Sequence, residues 1–264
     1  MNAMNPPIVL VFAGHDPTGG AGIQADIETL ASLGCHACSV ITALTAQDTH
    51  DVKDFVPVSE TFLVEQARAV LEDMPIAAIK IGMTASVEII EAIHTLLQDY
   101  PDIPVIFDPV MAAGGGGSLA KQNLIEAFNT LLIPIATIIT PNTIEAKQLC
   151  SDADTLDACA QQLMAQGCEY VLISGGHESS SQIINRLWGY RKFLVEYAQT
   201  RLNHSYHGSG CTLASAIAGY VAHGASMESA VRDAQNYTAK ALANGRRLGM
   251  GQLIPDRLSW CNRG

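Results

Sequence analysis

Short apolar runs alternate along this chain with amphipathic stretches of helical period. Residues 8–13, 37–44, 77–81, 105–107, 137–140 and 170–173 are of strand length and mostly apolar, the pattern of strands covered on both faces. Between them, residues 21–32, 60–74, 86–99, 122–132 and 156–165 carry apolar side chains near i, i+3, i+4 and i+7, as Ile89, Ile90, Ile93, Leu96 and Leu97 illustrate. This βαβ rhythm predicts a mostly parallel sheet with right-handed crossovers and helices on both faces. Residues 187–197 break the rhythm and are expected to be extended, as an antiparallel hairpin at the sheet edge. Residues 208–223 and 226–244 read as closing helices. With no internal repeat and no linker, one α/β domain over residues 1–264 is expected.

Polar and glycine-rich segments follow the predicted strands, at 14–22, 45–50, 82–84, 108–118, 141–145 and 175–177. In open α/β sheets ligands bind beyond the carboxyl ends of the strands, so these loops are the candidate site. The run of glycines at 114–117 reads as a flap or hinge that excludes water.

Composition narrows the chemistry. The chain is 48% hydrophobic but only 6% aromatic, with 22 glycines, which fits aliphatic strands joined by glycine-bearing loops. A net charge of -11 argues against nucleic acid, whose phosphates demand a basic face. No apolar run nears the roughly 20 residues of a membrane span, and the short apolar run 8–13 has no basic leader. A cytoplasmic location is therefore expected. The odd number of cysteines, 7, reads as reduced thiols. Cys35 and Cys38 form a lone C-x-x-C without the second pair a zinc site needs.

Three motifs carry candidate chemistry. Gly20, Gly22 and Ala25 match G-x-G-x-x-A, but they lie too far past the strand end for a dinucleotide turn, and no Gly-Lys-Ser/Thr of a P-loop is present. What remains is backbone able to approach a small ligand closely. In His207-Gly208-Ser209-Gly210-Cys211, consecutive N–H groups at a helix start form an anion hole fit for a phosphoryl group; the plainer alternative is a cap by Ser209. Cys211 in the first turn favours the first reading, since a thiol there is expected to have a lowered pKa. A nucleophilic-cysteine hydrolase is the rival chemistry. Asn142 and Glu145 read either as a capping box or as oxygen ligands of a hydrated magnesium ion.

AGHDPTGGAGIQADI, SVITALTAQDT, IKIGM, DPVM, TPNTIEA, SGGH and HGSGCTLASAIA occur in this order across nearly the whole chain. In this the sequence resembles the hydroxymethylpyrimidine/phosphomethylpyrimidine kinases of thiamin biosynthesis, within the ribokinase-like superfamily. The resemblance implies a ribokinase-like three-layer α/β sandwich and two successive phosphorylations, of an alcohol and then of its monophosphate. It implies that Gly14, Asp26, Gln47, Met83 and Val110 line the pyrimidine pocket, that Asp108, Asn142 and Glu145 organise the nucleotide and magnesium, with Asp108 and Glu145 acting on the metal through water, and that Gly208, Gly210 and Cys211 are catalytic. It also implies ATP and Mg2+ as cofactors, allows K+ beside them, and points to a homodimer. Ser174 stands where these kinases usually place a lysine. The alternatives are a pyridoxal-type vitamin kinase and a catalytically silent pyrimidine-binding member of the family.

Overall fold

A computed structural model describes residues 5–111, 118–175 and 181–259. The glycine run 114–117 and residues 176 and 177 lie outside the described residues. Among the described residues, all named strands join one nine-stranded sheet in the order β3-β2-β1-β4-β5-β6-β7-β8-β9. Its parallel centre consists of β2 (His36–Gln47), β1 (Ile8–His15), β4 (Ile76–Ile81), β5 (Val105–Phe107), β6 (Ile138–Ile139) and β7 (Tyr170–Ile173). Antiparallel strands close both edges: β3 (Val52–Pro57) against β2, and β8 (Gln182–Gly189) with β9 (Lys192–Thr200) beyond β7.

Alternate side chains of each central strand feed two cores. Leu10 and Phe12 of β1 pack with α2 (Glu60–Leu71), α3 (Val87–Leu97), α5 (Thr143–Leu149) and α6 (Leu156–Ala165). A helix over Ser118–Ala127, α4, lies on the same side and runs into a wider π turn at Phe128–Leu132. Val9, Val11 and Ala13 pack on the other face with α1 (Gly22–Ser32), α7 (Ser209–Ala222) and α8 (Met227–Ala243). This is the expected layered α/β sandwich. The C-x-x-C pair is divided between the cores, Cys35 just before β2 in one and Cys38 within β2 in the other.

Two details depart from the expectation. Residues 52–57 form an edge strand that the periodicity missed, since most of its side chains are exposed and it carries no apolar run. The hairpin is longer than expected and turns at Tyr190 and Arg191, both at positive φ (51° and 59°). Such a turn normally uses Asn or Gly. Here Tyr190 is held by an edge-to-face contact with Tyr170, ring centroids 5.3 Å apart, and by a bond between their hydroxyls.

The chain leaves β1 for β2 on one side and returns to β4 on the other. That reversal opens a crevice beyond the carboxyl ends of β1 and β4, where doubly wound sheets bind ligands.

Candidate active site

A cavity of about 100 Å³ occupies this crevice. Gly14, Gln47, Met83, Val110 and Cys211, drawn from five different segments, all line it. Ligand pockets for drug-sized molecules run to about 300–1,000 Å³, so this one suits a single small ring. The start of α1 packs tightly beneath: Gly22 has φ +57°, and a Cβ there would lie 2.2 Å from the Gly14 carbonyl oxygen.

Asp26 is not in the wall. It is fully buried behind the cavity, where its carboxylate pairs with the Lys80 ammonium at 3.0 Å and accepts a hydrogen bond from Ser215. Lys80 is the member of the pair that reaches the cavity. Burial works to lower the Lys80 pKa, but Asp26, Cys211 and Asp108 outweigh it and hold the ammonium above its ordinary range. The expectation that Asp26 touches the ring is corrected accordingly: a carboxylate with no exposure and a cation on it supports the wall from behind. The signal for Lys80 in the sequence is a charged residue inside the otherwise apolar strand of IKIGM.

Asp16, like Lys80, was missed in the sequence, and it shapes the glycine-rich loop after β1. Its carboxylate accepts bonds from the Thr18 and Ala21 amides at 2.8 and 2.7 Å and from His207 Nε2 at 3.0 Å. Burial alone would raise its pKa, but the bonds from His207, Thr18 and Ala21 outweigh that and hold the carboxyl well below the usual range. The His207 bond ties the loop to the HGSGC motif.

HGSGC opens α7 as expected. Gly208 is the N-cap in the left-handed region, φ +79°, and a Cβ there would sit 1.9 Å from the Gly20 carbonyl oxygen, so only glycine fits. No side chain caps this helix start, which excludes the plainer reading of Ser209 as a cap. A Cβ on Gly210 would lie 3.9 Å from Asp108 Oδ1, so the first turn of α7 faces the Asp108 carboxylate.

The electrostatics of this turn overturn one expectation. Cys211 does not have a lowered pKa: burial pushes the thiol up to about 12, and the nearby carboxylates of Asp108 and Asp26 add to burial while Lys80 opposes it. Desolvation is the largest influence on the thiol. Burial likewise pushes Asp108 up to about 6, against Lys80 and a hydrogen bond from the Cys211 thiol. Asp108 is only 4% exposed, and its Oδ2 has no hydrogen-bond partner among the described residues.

Asn142 and Glu145 form the capping box of α5. The Asn142 side chain accepts from the Ile144 and Glu145 amides at 2.9 Å each, and Glu145 Oε2 accepts from the Asn142 amide at 2.8 Å. Glu145 is nonetheless pushed up to about 7, by burial and then by Asp108, so the two carboxylates share one electrostatic environment. Ser174 is adjacent: its carbonyl accepts from the Thr143 amide at 3.2 Å. A second cavity of about 670 Å³ opens beside α7, with Ser209, Tyr206, Gln199, Ile183 and Asn236 in its wall. Among the described residues no cluster of three or more His, Cys, Asp or Glu side chains could hold a metal, and no helix is long and apolar enough to cross a membrane.

Comparison with known proteins shows the family. Residues 16–256 match the family model described as phosphomethylpyrimidine kinase. The hydroxymethylpyrimidine/phosphomethylpyrimidine kinase of Streptomyces coelicolor is 37% identical over 252 residues, 94% of this chain and 93% of that protein. A thiamine biosynthesis bifunctional protein of Geobacter sulfurreducens is 38% identical over 92% of this chain, which spans only 50% of that longer protein. Among solved structures, the ADP complex of Bacillus subtilis pyridoxal kinase superposes with a TM-score of 0.89 at 26% identity, covering 97% of this chain and 98% of that one. With the family model covering most of its length and relatives above one-third identity, the chain belongs to the phosphomethylpyrimidine kinase family.

Proposed function

We propose that this chain is an ATP-dependent kinase that phosphorylates 4-amino-5-hydroxymethyl-2-methylpyrimidine and then its monophosphate, as a step of thiamin biosynthesis, and that residues 1–264 act as one kinase domain. The observation that carries the reading is the N-terminus of α7 standing between two cavities, one sized for a single ring and one large enough for a nucleotide. Cys211 lies in the wall of the first and Ser209 in the wall of the second. A phosphoryl group passing between them meets the free N–H groups of the helix start, the arrangement that stabilises developing negative charge.

The thiol acts in its protonated form. As the substrate alcohol attacks the γ-phosphorus and the bond to the β–γ bridging oxygen breaks to release ADP, sulfur accepts the alcohol proton while the Cys211 proton moves to the neighbouring Asp108 carboxylate. No free thiolate has to accumulate, because the Asp108 carboxylate, which faces the first turn of α7 and accepts a hydrogen bond from the thiol, takes the proton. Lys80 offsets the negative charge that develops beside it. The Gln47 amide supplies the donor and acceptor that an aminopyrimidine edge requires.

The residues present fit magnesium. Asp108 Oδ2 is a buried carboxylate oxygen without a partner among the described residues, Glu145 lies in the same field, and the donors are all oxygen, as this ion prefers. Asp108 and Glu145, the latter fixed by Asn142, would hold it through water. When bound it supplies charge neutralisation on the phosphates. Potassium belongs to the same reading and is tested by rates in potassium against sodium buffer. So does a homodimer in the cytoplasm: exposed Leu44 and Val56 on β2 and β3 offer apolar surface for a twofold contact, and sedimentation gives the mass.

The pyridoxal kinase likeness supports a second reading. Coupled ADP release with the aminopyrimidine, its monophosphate and pyridoxal side by side decides between them. Clear preference for the two pyrimidines is expected; pyridoxal turnover equal to theirs sinks the first reading.

A further inference from the structure

Arg257 follows α8, remote in sequence from every motif above, and is only 1% exposed. Its guanidinium bonds to three segments of the chain, two of which, the glycine-rich loop and the first turn of α7, belong to the site. Nη1 donates to the Gly19 carbonyl at 3.3 Å and to Glu28 of α1 at 3.1 Å, Nη2 donates to the Gly20 carbonyl, and Nε donates to Thr212 Oγ1 at 2.9 Å. The Thr212 hydroxyl in turn donates to the Gly208 carbonyl at 2.7 Å. One side chain thus spans from the glycine-rich loop to the first turn of α7.

The two surfaces it joins do different jobs. Asp16 and Ala21 of the loop, with Gly22 at the start of α1, wall the ring cavity, while the first turn of α7 presents the N–H groups. Gly208 and Gly20 meet without room for a methyl group, and a Cβ on Gly208 would lie 2.9 Å from Nη2. The loop carbonyls that crowd this junction are met by a cation whose planar fork holds several acceptors at fixed angles, which a lysine ammonium cannot reproduce. The Asp16–His207 pair makes a second tie between the same two segments.

We propose that Arg257 is a positioning residue for phosphoryl transfer, fixing the bound ring relative to the N–H groups of α7. This rests on the kinase reading above. Displacing reacting groups by about 1 Å can lower a rate by about 10²-fold, so the clamp is worth a large part of kcat without touching either substrate.

The test compares wild type with Arg257→Lys, Arg257→Ala and Thr212→Val, and with Arg232→Gln on the exposed face of α8 as control. Rates are taken at saturating ATP well below each melting temperature. Arg257→Lys is expected to lower kcat about 10–100-fold and raise the pyrimidine KM, with ATP KM within about twofold, and millimolar methylguanidinium is expected to restore part of kcat to Arg257→Ala. Thr212→Val, which removes one acceptor, serves if neither Arg257 variant folds, with a smaller loss of the same kind. A folded Arg257→Lys with wild-type kcat and KM, or the same losses in Arg232→Gln, overturns the proposal. Amide exchange distinguishes this failure from failure of the kinase reading. Faster exchange at residues 19–21 and 209–212 in Arg257→Lys supports the clamp even if the wild type phosphorylates no pyrimidine, and unchanged exchange there overturns it whatever the substrate.

Discussion

Replacing Lys80 by methionine separates the stability of the site from its chemistry. The Lys80–Asp26 pair has no exposure on either side chain and a 3.0 Å contact. At an effective dielectric of about 20, two charges at that distance attract by about 5 kcal/mol. Lys80→Met leaves the Asp26 carboxylate buried with only the Ser215 hydroxyl bonded to it, and breaking a buried pair in this way costs about 3–5 kcal/mol. For a chain of 264 residues, at about 2 °C per kcal/mol, the melting temperature should fall by about 6–10 °C. Removing both charges, as Lys80→Met with Asp26→Leu, is expected to recover most of the loss, since well-packed apolar replacements of buried pairs are often neutral or stabilising. The double variant should still be a poor enzyme, because the cation beside Cys211 is gone: kcat in a coupled ADP assay is expected to stay at least about tenfold below wild type. Urea denaturation gives the free energies. A single variant losing under about 1 kcal/mol, or a double variant no more stable than the single, would refute the reasoning about the pair; wild-type kcat in the double variant would remove Lys80 from the chemistry.

Cys211→Ala should keep pyrimidine binding and lower kcat for the alcohol about 10²-fold but less for the monophosphate, whose attacking oxygen is already ionised; equal slowing of both steps makes the thiol a packing residue. With the thiol pushed up to about 12, iodoacetamide at neutral pH should label it far more slowly than a free cysteine, and rapid labelling contradicts the raised pKa. Ser174→Lys should lower the KM for ATP by placing an ammonium beside Asn142 and Glu145, and an unchanged KM shows that the position does not meet the nucleotide. Glu145 is raised from 4.5 to about 7, so its protonated form is favoured by folding: the stability it contributes is full below about pH 4.5 and lost as pH rises through about 7. Without magnesium, Glu145→Gln should flatten that decline, which is worth at most about 3 kcal/mol, and a decline of unaltered slope in urea titrations assigns it to other groups.

The sheet and its helices were legible in the sequence because burial on both faces leaves a local trace, an unbroken apolar run or a period of 3.6, as at 105–107 and 156–165. The same held for the start of α7, where Gly208 is demanded by a positive φ that the glycine itself announces. The capping box of Asn142 and Glu145 was readable for a similar reason, its partners being three residues apart. What the sequence did not reveal depends on distance in space. Strand β3 exists because β2 offers it an edge, and its own side chains are mostly exposed. Asp26 and Lys80 are 54 positions apart, so nothing local marks Asp26 as a buried counter-ion instead of a ligand to the ring. The Cys211 pKa follows from how deeply α7 is packed and which carboxylates face it, and desolvation belongs to the whole fold. Arg257 reaches Gly20 across 237 positions, and a lone arginine near the end of a sequence carries no sign of the junction that tertiary packing assembles around it.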